Sequence, residues 1–115
     1  MYEYLATVER VLDGDTLDVV LLLGFKITTH QRLRLADVDT PETWRPKTEA
    51  ERAHGEEATR YVKTMLEGKD VIIRTSKTGK YGRYIAHVRL PDESKTVNEL
   101  LVENNLIKRD DYSDN

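Results

Sequence analysis

Apolar and polar residues alternate along the first third of the chain, and this pattern predicts three successive β-strands. The predicted strands are residues 4–12, 16–23 and 26–37. Asp13-Gly14 separates the first two, and we expect a tight hairpin there because glycine tolerates the positive φ that such turns use. Gly24 marks the second turn, so the three strands form an antiparallel meander.

A helical period replaces the alternation in the middle of the chain. Residues 43–54 are polar, contain Pro46 and show no clean period, so they predict a loop or a ragged lead-in to a helix. Residues 55–67 place apolar side chains at helical spacing, which predicts a helix that Gly68 ends. The apolar positions of this helix are Ala58, Tyr61, Val62, Met65 and Leu66.

Two further strands and a second helix complete the pattern. Residues 70–75 and 83–90 are rich in β-branched and alternating apolar residues, and a glycine-containing turn separates them. Thr96 with Glu99 three residues later forms a capping box, so a helix begins there and ends near residue 105. We expect one domain over residues 1–108, followed by a frayed polar tail over residues 109–115.

The order β-β-β-α-β-β-α predicts an α+β, mainly β, fold. Three meander strands, a helix and two more strands fit a five-stranded Greek-key barrel of the OB type with two helices. An open α+β sandwich is the alternative. A chain of 115 residues supports one modest core.

The composition of the chain excludes several kinds of reactive or metal-binding site. The chain has no cysteine, which excludes disulfides, thiolate metal sites and a cysteine nucleophile. The net charge of −3 argues mildly against nonspecific nucleic-acid affinity, although residues 69–89 carry six basic residues against one acid. No apolar run reaches membrane-spanning length, and the N-terminus lacks a signal-peptide pattern. We expect an intracellular protein, with secretion after leader removal as the alternative.

Acidic residues stand at two predicted turns. Asp15 follows the first strand and Asp39 follows the third, where Pro41 must end the strand. In a barrel these two turns can share one rim. Two carboxylates with a backbone carbonyl suit a hard divalent cation such as Ca²⁺. The alternative is that these residues only stabilise turns, where Asp is common without any metal.

Arginines and one glutamate add the groups that phosphodiester chemistry needs. Arg34 and Arg83 can clamp a phosphate, since a guanidinium binds its oxygens bidentately, and Glu42 can position or deprotonate a water. Exposed surface pairing is the plainer interpretation of both arginines. Trp44 and Tyr81 can stack on a base, and Trp44 can equally cover a core edge.

Five segments in register resemble the staphylococcal nuclease (thermonuclease-like) family. They are VLDGDTL at 11–17, RLRLADVDTPET at 32–43, the GEEA-initiated helix from 55, KYGRYIAHV at 80–88 and VNELLVENNL at 97–106. The resemblance implies an OB barrel that hydrolyses DNA and RNA with Ca²⁺, without sequence specificity. It also implies the 5′-oxygen as the leaving group.

The resemblance also implies a role for each matching residue. Asp15, Asp39 and the Thr40 carbonyl would bind Ca²⁺, with Asp13 in the outer shell. Glu42 would act on the attacking water, and Arg34 and Arg83 would stabilise the developing charge. The last two matching positions, which would hold a terminal phosphate, are Lys80 and Tyr81.

The chain departs from the family pattern in ways that carry further expectations. Gly79 replaces a frequent acid, Asp111 stands where the staphylococcal enzyme has a base-stacking tyrosine, and Tyr112 is one place away. The third, C-terminal helix of the staphylococcal enzyme is missing, so we expect lower stability or a homodimer through the uncovered face. Unpaired strands should be the better substrate, and the acidic balance predicts weak, salt-sensitive binding. The rival functions are a non-catalytic module that binds nucleic acid or protein, and an interaction subunit.

Overall fold

The computed structural model of the chain describes residues 2–78, 84–110 and 112. Within them the elements follow the predicted order β-β-β-α-β-β-α. The strands are β1 (Tyr2–Asp13), β2 (Thr16–Leu22), β3 (Thr28–Leu35), β4 (Asp70–Thr78) and β5 (Tyr84–Arg89), and the helices are α1 (Glu49–Leu66) and α2 (Val97–Glu103).

The five strands form one closed barrel, with neighbours in the order β1-β2-β3-β5-β4. Neighbouring strands are antiparallel except β3 and β5, which run parallel and place Arg34 beside Ile85. The parallel pair arises because the chain passes through α1 and β4 before it returns along β3. The closed barrel confirms the predicted OB-type architecture, and the alternative of an open sandwich is wrong.

The hydrophobic core joins the inside of the barrel to one face of α1. Alternation along the strands turns every second side chain inward, so Leu17 and Val19 of β2 are fully buried. Ala58, Val62 and Leu66 recur at helical spacing on α1 and pack into the same apolar cluster. The helix is thereby fixed against the barrel, and the loop that leads into it is fixed with it.

α1 begins at Glu49, so the alternative of a helical lead-in is correct for the second half of residues 43–54, and the helix start predicted at Gly55 is too late. Thr48 is the N-cap, and its hydroxyl accepts a hydrogen bond from the Glu51 amide at 3.0 Å. The Glu51 side chain is buried and accepts from the Lys47 amide at 2.8 Å. The Thr48-x-x-Glu51 spacing was therefore a capping signal that the polar composition of the stretch concealed.

The other boundaries differ less from those predicted. β4 continues to Thr78 through a bulge between Thr75 and Lys77, where the sequence predicts a turn from residue 76. The capping box of Thr96 and Glu99 is confirmed at the start of α2. Among the described helices none is long and apolar enough to cross a membrane.

Tyr112, which belongs to the segment predicted as a tail, contacts the domain. The Tyr112 hydroxyl lies 2.8 Å from Nδ1 of His54 on α1, and it accepts a hydrogen bond from the Arg109 amide at 3.1 Å. Part of the segment predicted as a frayed tail therefore rests on α1. Tyr112 is engaged with protein groups, whereas Asp111 lies outside the described residues.

Candidate active site

The barrel brings the β1–β2 turn next to the end of β3. Thr16 and Arg34 are partners in the β2–β3 register, and the Leu35 amide donates to the Asp15 carbonyl at 2.9 Å. Thr40, on the loop after β3, donates its amide to Oδ2 of Asp15 at 3.0 Å. Residues far apart in sequence thus share one rim, as the strand order predicts.

Asp15 is a buried carboxylate with a complete set of partners. Besides the Thr40 amide it accepts a hydrogen bond from the Thr16 hydroxyl at 3.2 Å, and Nη1 of Arg34 lies 3.3 Å from its Oδ2. Burial acts to raise the pKa of Asp15, but hydrogen bonds from Asp13 and Thr40 and the Arg34 charge outweigh it. Its pKa therefore lies below the ordinary value, and Asp15 is ionised at neutral pH.

Asp13 behaves in the opposite way. Burial, a side-chain hydrogen bond with Asp15 and the negative charge of Asp15 together raise the pKa of Asp13 to about 6. Asp13 Oδ1 also accepts from the Asp15 amide at 3.0 Å, which fixes the turn. The hairpin therefore concentrates negative charge where a cation would be most strongly attracted.

Arg34 connects the two sides of the rim. Its Nη1 donates to the carbonyl oxygens of Leu35 and Val38 at 3.0 and 2.8 Å. Its Nη2 lies 3.4 Å from Oδ1 of Asp39, while Nη1 faces Asp15. The guanidinium is held in a defined orientation between two carboxylates, and a quarter of the side chain (25%) remains accessible.

Asp37, Asp39 and Glu42 are exposed carboxylates of the segment that follows β3. The Asp39 side chain is 66% exposed, while its carbonyl accepts from the Lys108 amide at 2.6 Å, so the loop is held from behind. Glu42 is exposed. Beside them lies an open hollow of about 460 Å³ whose lining includes Arg34, Asp39 and Ile85, which gives a ligand access to the guanidinium.

The oxygen donors at this rim suit a hard cation. Asp15 and Asp39 are carboxylates, and Thr40 adds a buried backbone position, the donor type that Ca²⁺ prefers. Among the described residues no three histidines, cysteines or acids form a metal-binding group.

The remaining predicted residues have not been placed. Arg83, Lys80, Tyr81 and Gly79 lie outside the described residues. The structure brings together Asp13, Asp15, Arg34, Asp39 and Thr40, with Glu42 two residues beyond Thr40.

Gly14 has a structural role that differs from the predicted one. The expected positive φ is wrong, since among the described glycines only Gly24 and Gly68 adopt it. A Cβ at Gly14 would instead lie 2.8 Å from Cγ2 of Thr40. Glycine is needed here so that the hairpin can approach Thr40 closely.

Gly55 performs a similar function for the loop that carries Glu42. A Cβ at this position would lie 2.6 Å from the Pro41 carbonyl oxygen and 3.0 Å from that of Glu42. The loop backbone thus rests directly on α1. A glycine inside a helical pattern was the only local sign of this contact.

Changing Gly55 to alanine is expected to lower the free energy of unfolding by about 1–3 kcal/mol, because the added methyl group overlaps backbone atoms that cannot rotate away. At an unobstructed helix position the same change would stabilise by about 0.5–1 kcal/mol. Urea denaturation measures the difference. Ala53→Gly, at an exposed position of the same helix, is the control, and a Gly55→Ala variant more stable than the wild type would contradict the predicted overlap.

Comparison with known proteins agrees with this architecture. Residues 32–113 match the family model described as "Staphylococcal nuclease homologue". The chain is 37% identical over 108 residues to a "Thermonuclease" of Staphylococcus hyicus, covering 92% of this chain and 59% of that protein. It is 38% identical over 88 residues to a "Thermonuclease" of Staphylococcus intermedius, covering 75% and 49%.

A third relative is larger. "Endonuclease YhcR" of Bacillus subtilis (strain 168) is 33% identical over 109 residues, which cover 89% of this chain and 8% of that protein. The chain thus spans about half the length of the two thermonucleases and a small part of the third relative. The family model matches well over half of the chain, and the match includes the rim residues from Arg34 to Glu42. The chain therefore belongs to the staphylococcal nuclease family.

Proposed function

We propose that this chain is a metal-dependent nuclease that hydrolyses phosphodiester bonds of DNA and RNA without sequence specificity. The observation that carries the proposal is the placement of Arg34 between Asp15 and Asp39, at 3.3 and 3.4 Å, beside an open hollow. A fixed guanidinium can stabilise the negative charge that develops on a phosphodiester, and two carboxylates can hold a metal ion that would do the same. Relatives named thermonuclease and endonuclease support the same reaction class.

Asp15, Asp39 and the Thr40 carbonyl are the residues that would hold Ca²⁺, with Asp13 behind them. When bound, the cation would withdraw electron density from a phosphate oxygen and increase the acidity of a coordinated water. Asp15 is suited to this role because it is already ionised and held by the Thr40 amide. Asp13 fits an outer position, because its Oδ1 already accepts a hydrogen bond from the Asp15 amide at 3.0 Å.

Glu42 is the proposed base. As the oxygen of water bonds to phosphorus and the bond to the 5′-oxygen breaks, Glu42 takes the proton of the water. By the family resemblance Arg83 assists the leaving 5′-oxygen, which takes up a proton from solvent. Arg34 stabilises the charge that grows on the phosphoryl oxygens, and its contacts with Leu35 and Val38 fix its orientation beforehand. Arg83, with a second guanidinium, and Lys80 and Tyr81, as terminal-phosphate ligands, complete the proposal from the sequence.

We further propose that single strands are the preferred substrate, because OB barrels bind unpaired strands in grooves between loops. We also propose that the chain forms a homodimer, as predicted from the sequence. The helical side carries apolar surface suited to it: Val102 of α2 is 48% exposed, and Tyr61 and Met65 of α1 line a shallow hollow.

Cleavage of fluorescently labelled single-stranded DNA and RNA tests the function. We expect cleavage in Ca²⁺, none in excess EDTA, and a loss of at least about 100-fold in a Glu42→Gln variant, since general-base catalysis supplies factors of this order. Glu56→Gln, an exposed glutamate on α1, is the matched control and should retain wild-type rates.

Two results would contradict the proposal. Cleavage that persists in EDTA would contradict the proposed role of a metal ion. Wild-type cleavage rates in Glu42→Gln would contradict the proposed role of Glu42 as the base. Tight binding of single strands without cleavage in Ca²⁺ would instead favour the non-catalytic binding module.

A further inference from the structure

The loop between β3 and α1 presents the only tryptophan of the chain to solvent. Trp44 is 73% exposed, although burial of so large an aromatic side chain would normally be favourable. The alternative that Trp44 covers a core edge is therefore wrong. Trp44 stands two residues after Glu42, the proposed base.

Arg45 lies against the tryptophan. The guanidinium carbon is 4.5 Å from the centroid of the Trp44 ring, a cation–π distance. The guanidinium covers one face of the indole, and the exposure of the side chain leaves the other face accessible. The pair thus forms a preformed flat surface with a positive charge beneath it.

Anchors on both sides hold this pair out from the domain. Before it, the backbone of Pro41 and Glu42 rests on Gly55 of α1. After it, the Lys47 amide donates to the buried carboxylate of Glu51 at 2.8 Å. The projecting segment between the anchors is short, so the Trp44–Arg45 pair keeps a fixed position relative to the loop that carries Glu42.

Basic and acidic side chains both stand near the pair. Arg45 and Lys47 belong to the loop, and Arg52 of α1 lines a hollow with Lys47 and Glu49. Glu49 is 3.7 Å from Arg52 and offsets one of these charges. Residues 42–52 hold three bases and three acids, so the positive charge that a phosphate would meet at this pair is that of Arg45 itself, beside the exposed ring.

We propose that Trp44 and Arg45 form a stacking subsite for one base of a single-stranded nucleic acid, next to the scissile phosphate. The base stacks on the free face of Trp44, and Arg45 contacts the adjoining phosphate. This inference rests on the proposed function, which supplies nucleic acid as the class of substrate. It adds a contact that increases affinity for longer strands and does not participate in bond breaking.

Tryptophan fluorescence tests the contact without cleavage. In EDTA we titrate the protein with a decathymidylate and with a decamer of abasic sites, and we follow binding in parallel by anisotropy of a labelled strand. We expect saturable quenching of Trp44 by decathymidylate only. Binding by anisotropy with unchanged tryptophan emission would overturn the subsite, and the absence of any binding would do the same.

Kinetics in Ca²⁺ then separate the subsite from the chemistry. We expect Trp44→Ala to raise KM for the decamer by about 5- to 20-fold, the loss of one base–aromatic stack, with kcat within twofold and no change for a dinucleotide substrate. Trp44→Phe should restore most of the KM. Phe25→Ala removes another exposed aromatic residue, which is 99% exposed on the β2–β3 turn, and should change neither parameter.

The outcomes distinguish the two proposals. Wild-type kinetics of Trp44→Ala on both substrates would overturn the subsite and leave the nuclease intact. Quenching by decathymidylate with no cleavage by the wild type would overturn the nuclease and leave the subsite. A KM effect of equal size on the dinucleotide would show a general loss of the site rather than of a distant base contact.

Discussion

Replacing Arg34 with alanine is expected to lower the cleavage rate by at least about 100-fold, as removal of a preorganised donor to a developing negative charge does in other enzymes. The guanidinium is the group of this rim that is both fixed and accessible, because Leu35 and Val38 hold it from one side. Arg34→Lys should recover little of the rate, since an ammonium group cannot form the same fork of contacts.

Calcium binding separates this effect from a collapse of the site. Arg34 lies between Asp15 and Asp39, so its removal increases the net negative charge there. We therefore expect Arg34→Ala to bind Ca²⁺ at least as tightly as the wild type in calorimetry while cleaving slowly. Loss of both properties would indicate a displaced loop instead.

Arg32 offers a matched control on the same strand. It stands two residues before Arg34 and pairs with Asp18 at 2.8 Å on the exposed side of the barrel. Because exposed ion pairs contribute little, Arg32→Ala should cleave within twofold of the wild type. If the two alanine variants lost activity equally, the special role of Arg34 would be contradicted.

The barrel could be predicted because its signals are local. Alternation along β1 to β3 and the capping box at Thr96 each depend on residues that are close in sequence. The start of α1 was left open between a loop and a helical lead-in for a related reason. The inward face of its first turns carries Glu51 and Gly55, and a buried acid and a glycine look polar or irregular in a hydropathy pattern.

The rim of the site was partly predictable, because strand order alone brings Asp15 towards the end of β3. Its close contacts were not. Gly14 approaches Thr40 and Gly55 approaches Pro41, and each contact joins segments that no periodicity relates. The sequence could suggest candidate residues, whereas the distances between their backbones depend on glycines whose close contacts appear only in three dimensions.

Asn98 links the second helix to this same region. It is buried, and its Oδ1 accepts from the Val88 amide at 3.1 Å. Its Nδ2 donates to the carbonyl oxygens of Ala36 at 2.9 Å and Ala86 at 3.1 Å. One side chain therefore satisfies groups of β5 and of the turn that leads from β3 to Asp39.

Changing Asn98 to alanine is expected to lower the free energy of unfolding by about 2–4 kcal/mol. The change leaves a buried backbone amide without a hydrogen-bond partner and removes one hydrogen bond from each of two buried carbonyl groups, and water cannot replace these bonds. Asn104→Ala is the control: Asn104 also donates to two groups, at 2.7 and 3.3 Å, but is exposed, so water replaces its bonds and the cost should stay below about 1 kcal/mol. Urea denaturation compares the two. Since Ala36 precedes the Asp39 loop, the Asn98 variant should also bind Ca²⁺ more weakly, and equal destabilisation by both variants would contradict the role assigned to burial.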